Sequence, residues 1–514
     1  MLSGADRKDG RMVRTLAHDD VVFVCPSSDP SSYAKYGATV IASGGTHSSD
    51  YVNKLKRGGL HTTATISCLT AHGHDLHAYP DLADATARDI SGNPIAVPWL
   101  SGASSADAPH FFGCINHPAF RAFIRRKVCD AMSGGVAGIH VDDHLASAYA
   151  AIHLGGCFCD HCVSGFAAYC GGRASPDLYS AAAVTSFEGF DYRSFVNTIA
   201  PTREVYLARA GTVDGIPLHR EFIDFQLTAA ARNVVSLGTL AADVAQSPVS
   251  LSANVRLPLV EHSVVVPHLT YCASEIEHHA QQGPAGLSNA IEAYRMAETL
   301  KCPLAASATP QDWAFVNECG AEHLVRIWIA LSYACGQRFM VPNKVLCAGG
   351  GHGPHWYCGP VAAYAPVYQF VKKLGFLLNG FSAVGPLAAP DPAPSSFEAH
   401  ADRTALSDLF TGHPVSPLTA GESALVFPRV KSDGSVAIHV VGTRGDSRTG
   451  RDSVQKNLEV RLPNSLFKRN FSGATAYGYG CEPYKLAITN EGQTSSFVLP
   501  ELSLWSVVAF EYWA

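Results

Sequence analysis

Between about residues 20 and 375, short runs of β-branched and apolar residues alternate with longer stretches whose apolar positions recur every three or four residues. That order is expected of a parallel sheet wrapped by helices. The candidate strands are 21–24, 38–42, 62–69, 136–142, 249–255, 264–271, 303–308 and 338–341, and the clearest helical patterns are 118–132, 287–300 and 321–335. Eight strands close a barrel, and several of these runs end in polar residues, where a (β/α)8 barrel builds its active site. An open doubly wound sheet is the alternative, but no glycine-rich phosphate loop follows the first strand. The pattern changes after the small, proline-rich stretch AAPDPAPSS at 388–396. Short alternating runs at 424–427, 436–441, 458–462, 474–479, 496–499 and 504–510 follow, separated by turn residues such as Ser432-Asp433-Gly434. These predict an all-β sandwich. The expected architecture is α/β: a TIM barrel over 1–387 with an insertion at about 144–240, then a linker and sandwich over 388–514.

Composition narrows the function classes. Hydrophobic residues make up 47% of the 514 and charged residues 16%, enough to fill a large core. The formal charge of −6 and the lack of any Lys/Arg-rich run leave no footprint for a phosphate backbone, so nucleic acid is excluded as an expected partner. No stretch reaches the roughly 20 apolar residues that span a membrane, and the first eighteen residues lack the apolar middle of a secretory signal. The expectation is a cytoplasmic protein, or a secreted one if a leader has been trimmed. Homo-oligomerisation is left open.

Fifteen cysteines cannot all pair within one chain. Most sit singly among apolar residues and read as small buried hydrophobes. The exception is Cys157-Phe-Cys159-Asp-His-Cys162, a C-x-C-x-x-C run, with Cys114 upstream in FFGCINHP. Four thiolates suit a closed, tetrahedral structural zinc ion. The other readings are a free thiol cluster, a local disulfide, or a fourth ligand from His161 or Cys170.

The order GCINHPAFRAFIRRKV, a strand ending in acidic residues, then CFCDHCVSGFAAY resembles the family-42 glycoside hydrolases, the β-galactosidases. Residues 222–226, SLSANV at 250–255 and HLVRIWIALSYACGQRFMVP at 323–342 extend the likeness over about 66–376. The resemblance implies a barrel acting on carbohydrate, with zinc ligands Cys114, Cys157, Cys159 and Cys162. The chain also departs from that family. Its fourth strand ends Val141-Asp142-Asp143-His144 where the family has Asp-Asn-Glu, and no Glu closes its seventh strand. The family's catalytic pair is therefore not carried over, and no α/β trimerisation domain lies between barrel and β-domain.

Glycosidases need two carboxyls, about 5 Å apart when a nucleophile forms a covalent intermediate and farther apart when water intervenes. Asp142 and Asp143 close strand four, and other barrel glycosidases place an Asp nucleophile there. Glu275, beyond strand six, faces them as acid/base. The expected reaction is retaining hydrolysis of an oligo- or polysaccharide. Further polar and aromatic residues fall at expected rim positions and are assigned to substrate: His72, His74, His140, His144, Glu277, Asp312, Trp313, His355 and Trp356. Two other classes stay in view. The histidines with Asp142 or Asp143 would suit a metal-dependent carbohydrate hydrolase or a polysaccharide lyase, and the missing family glutamates would suit a non-catalytic carbohydrate-binding barrel.

Overall fold

A computed structural model describes residues 14–27, 29–44, 48–71, 73–100, 110–210, 212, 215–257, 259–348, 355–384, 418–419, 424–443, 445–446, 451–464 and 471–512. Eight strands form one parallel sheet in sequence order: β1 (Val22–Phe23), β2 (Val40–Ile41), β3 (His61–Ser67), β4 (Gly138–Asp142), β5 (Ser250–Asn254), β6 (Tyr271–Ile276), β7 (Leu304–Ala308) and β8 (Arg338–Phe339). A parallel bridge from Phe23 to Val341 returns the eighth unit to the first and closes the barrel.

The strands' period of two divides their side chains. One set, including Val22, Val40, Ala42, Tyr271, Ala273, Ala305 and Met340, packs inside the barrel as its own cluster. The other set joins a large shell with the surrounding helices, Pro118–Ser133, His219–Ala245, Leu287–Thr299 and Glu322–Ala334 among them. The N-terminal segment crosses the bottom of the barrel. Buried Arg338 donates to the carbonyls of Leu16 (3.0 Å) and Ala17 (2.9 Å), and Ser250 Oγ to that of Arg14 (2.8 Å).

Strand six departs from its expected position. The valine run 264–266 contains no strand; it leads into a 3-10 turn at Val266–His268, and β6 begins at Tyr271. Pro267 has no N–H to offer a ladder, so hydrophobicity there marks buried turns. β6 runs to Ile276, so Glu275 lies within the strand, one residue from its end.

Several helices lie between β4 and β5, including Ser147–His153, Asp160–Gly171 and the long helix His219–Ala245. The C-terminal strands form antiparallel sheets. One runs Ser382–Ala383, Ala424–Val430, Val436–Gly442, Trp505–Tyr512, Phe471–Gly478, Tyr484–Leu486, and the other Gln455–Pro463, Thr494–Leu502, Thr489–Glu491. Strand Val436–Gly442 is buried on both faces: Ile438 and Val440 face the sandwich core, while Ala437 and Val441 pack on the barrel helices. Ser382–Ala383 already belongs to this sheet, ahead of the proline-rich linker, which lies outside the described residues. Among the described residues no helix is long and apolar enough to cross a membrane.

Candidate active site

The C-terminal ends of the neighbouring strands β4, β5 and β6 carry Asp142, Asn254 and Glu275. On β4 the inward positions are Gly138, His140 and Asp142, and on β5 they are Ser250, Ser252 and Asn254. Polar contacts connect them across the strand gap. His140 Nδ1 pairs with Ser252 Oγ (2.9 Å), and Asn254 Nδ2 donates to Asp142 Oδ1 (3.2 Å). The backbone N–H of Asp143 also donates to Asp142 Oδ1 (3.1 Å). Two donors on one carboxylate oxygen fix its orientation.

Asp143 is the first residue past the strand and adopts a left-handed backbone (φ 50°), which Asp tolerates better than most residues. Burial pushes its carboxyl up to about 8, aided by the charges of Asp142 and Glu275. Glu275 lies two strands away on the inward register of β6. Its side chain is open to solvent, yet protein crowds it on most sides. Desolvation raises it to about 7, with Asp142 adding to the rise and Arg256 opposing it. Asp142 and Glu275 thus stand at the C-terminal ends of β4 and β6, separated by β5.

A stability test follows from Asp143. In an unfolded chain an Asp ionises near 3.9, whereas here the proton is held until about 8. The folded state binds more protons in that interval, so its stability falls as pH rises through it. Asp143→Asn removes the dependence. Melting curves at pH 5 and pH 8.5 should show the native chain losing on the order of 4 kcal/mol relative to the variant. Parallel pH dependences would contradict the buried, proton-holding Asp143.

The expected sugar-binding residues divide. His140 and His144 are buried, and both are corrected from substrate contacts to scaffold. His144 Nδ1 donates to the Asn254 carbonyl (2.8 Å), its ring meets His262 (centroids 5.1 Å), and burial lowers it to about 4. Asp312 is also corrected. It completes a capping box with Thr309 on the helix Pro310–Cys319, and accepts from the backbone N–H groups of His278 (2.9 Å) and Ala280 (2.8 Å). Its acceptor sites are consumed by the loop after β6. Trp313 is 1% exposed, donates to Ser307 Oγ (3.2 Å) and stacks on Tyr357 (5.5 Å). It is core, and offers no face to a sugar.

Glu277 is exposed beside His279 Nδ1 (3.3 Å). His355 and Trp356 lie on β10 (His355–Cys358), which pairs with β9 (Asn343–Cys347). Both are exposed, and Trp356 lies opposite Leu346 with Lys344 Nζ 5.8 Å from its ring centroid. His74 lies on the helix Gly73–Ala78, and His72 is outside the described residues. Sequence reading assigned no role to Asn254, although the alternation Ser250, Ser252, Asn254 marks an inward polar face. It also passed over Arg256 and the exposed Trp99.

The four cysteines do converge. The sulfurs of Cys114, Cys157, Cys159 and Cys162 lie within 4.8 Å of one another, all buried, with Cys114 Sγ 3.5 Å from both Cys159 and Cys162. A tetrahedral ion with bonds of about 2.3 Å sets its ligand sulfurs roughly 3.8 Å apart, which this cluster fits. Amide donors also point at the sulfurs: Asn116 Nδ2 at Cys162 (3.2 Å) and Arg88 N at Cys157 (3.4 Å). Such outer contacts favour thiolates. The cluster ties the loop after β3 to the insertion after β4.

No family model matches the sequence, and no curated protein matches it. Solved structures do. The α-L-fucosidase isoenzyme 2 from Paenibacillus thiaminolyticus superimposes with TM-score 0.59 at 10% identity, covering 97% of this chain and 100% of that one. A Paenibacillus sp. cycloisomaltooligosaccharide glucanotransferase gives 0.57 at 10% identity, covering 96% and 85%. The β-galactosidase from Rahnella sp. R3 gives 0.53 at 11%, covering 93% and 94%. At these identities the likeness shows the fold, a (β/α)8 barrel followed by β-sheets.

Proposed function

We propose that the protein hydrolyses glycosidic bonds in an oligo- or polysaccharide, with Asp142 as nucleophile and Glu275 as acid/base. The observation that carries this reading is that Asp142 and Glu275 stand on the inward register at the C-terminal ends of β4 and β6, with Asp142 held by Asn254 from the strand between them. The solved structures of similar fold include glycoside-processing enzymes, which supports the same class. Asp142, held by Asn254, attacks the anomeric carbon while Glu275 gives its proton to the departing oxygen. The C–O bond breaks as the glycosyl ester to Asp142 forms. Glu275, now ionised, takes a proton from water, which attacks the anomeric carbon, breaks its bond to the Asp142 oxygen and releases the sugar with its configuration retained. Asp143, protonated at neutral pH, serves as a hydrogen-bond donor beside the nucleophile.

Glu275 must be protonated in the first step, so kcat/KM should fall about tenfold per pH unit above about 7. The limb belongs to the coupled carboxyls as a group, and Glu275→Gln should abolish it. A flat profile from pH 6 to 9 would rule out this acid. The stereochemical course, followed by NMR of the first-formed product, tests the nucleophile: an inverted anomer excludes the ester. A reducing-sugar screen over neutral and charged glycans identifies the substrate. Turnover abolished by a chelator that leaves the fold intact would instead support metal-dependent hydrolysis.

We further assign a structural zinc ion to Cys114, Cys157, Cys159 and Cys162, supported by the donor set and its spacing. With four sulfur ligands it has no position for water, so its role is to hold the two rim loops.

A further inference from the structure

A chain of aromatic rings runs along the barrel rim from the loop after β3 to the carboxyls. Trp99, 50% exposed, is held edge-on by Tyr149 (5.2 Å, 88°) and Phe112 (5.8 Å, 83°), which stack on each other (5.8 Å). A half-exposed tryptophan fixed by two rings is a rigid apolar plate. Tyr149 continues to His153 (4.5 Å) on the helix that follows β4. His153 lies within electrostatic reach of His262, on the turn after β5, and His262 meets His144 (5.1 Å). His144 in turn binds the Asn254 carbonyl, and the Asn254 side chain holds Asp142. All these loops follow the C-terminal ends of β3, β4 and β5, the face on which barrel active sites are built.

We propose that this strip is an extended subsite for a neutral oligosaccharide, with Trp99 stacking a sugar unit remote from the bond at Asp142. Sugar rings carry apolar C–H faces that pack on aromatic planes, while ring nitrogens and hydroxyls along the edge bind their hydroxyl groups. The Trp99 end of the strip is built of the uncharged rings of Tyr149 and Phe112, which match a polyol rather than a uronate or an amino sugar, while buried His144 supports the strip from beneath without touching the ligand. The inference builds on the hydrolase reading and fixes the ligand class: a chain of several neutral units.

The test separates the two ideas. The Asp142→Asn full-length protein is titrated calorimetrically with linear neutral gluco-, galacto- and fuco-oligosaccharides of two to six units, and with uronate oligosaccharides as a counter-panel. At least one neutral series should tighten about tenfold or more as units are added, and Trp99→Ala in the same background should flatten that gain. Trp99→Phe should restore most of it, which a merely structural Trp99 would not require. Affinity independent of length, a gain untouched by Trp99→Ala, or binding of the charged panel alone would overturn the strip. Length-dependent binding that needs Trp99, alongside no turnover of any glycan by the native chain, would leave the strip standing and end the hydrolase reading.

Discussion

Asp142→Asn lowers kcat/KM by roughly 10^3- to 10^5-fold while the protein stays folded, the scale seen when a member of a catalytic constellation is removed. Asparagine has nearly the same shape as aspartate, and its carbonyl oxygen can keep the bond from Asn254 Nδ2 seen at 3.2 Å. What it loses is the anion, and with it the attack on the anomeric carbon. Glu275→Gln removes the proton donor from the same step, so the double variant should be scarcely slower than the worse single one. In an Asp142→Gly enzyme, small anions such as azide should partly restore turnover of activated aryl glycosides by entering the space left by the side chain. Activity within tenfold of the native chain would sink the assignment of Asp142, and unchanged melting behaviour is the control that the loss is chemical.

The second large effect belongs to the cysteines. Metal analysis of the purified protein should find one zinc per chain, and Cys159→Ser or Cys114→Ser should lose it. Structural zinc binding is worth about 10–16 kcal/mol in small fingers. Here most of the core is independent of the cluster, so removal should cost a smaller share, on the order of several kcal/mol. The damage should fall on the loops that Cys114, Cys157, Cys159 and Cys162 join. Those loops carry Phe112, Trp99 and Tyr149, so hydrogen exchange should quicken there before the barrel strands respond. Four thiols that titrate freely in the folded protein, with no bound metal, would refute the site.

The fold was largely legible because period-two and helical patterns survive in barrels of this kind. All eight expected strands overlap those observed, the sixth only at Tyr271, because a valine run preceding Pro267 mimicked β-structure. The site was legible only in part. Asp142 and Glu275 could be found because acids at the ends of apolar strands have few structural reasons to be there. Asp312 and Trp313 looked similar, yet Thr309-Pro-Gln-Asp312 is a helix cap and Trp313 packs behind the β9–β10 hairpin. Local order cannot distinguish a carboxylate that binds substrate from one whose oxygens are taken by backbone N–H groups.

By itself, then, the sequence determined the succession of elements, the change from barrel to sandwich and the identity of the sulfur cluster, because each is written in short-range spacing. Only the tertiary structure decided that Asp142, Asp143 and Glu275 stand at the ends of β4 and β6 with β5 between, that Asn254 orients one of them, and that Trp99 is held exposed by Tyr149 and Phe112. Apart from the neighbours Asp142 and Asp143, those relations join residues from about a dozen to more than a hundred positions apart. They arise from barrel closure, which sets the strand ends side by side and removes water from around their charges.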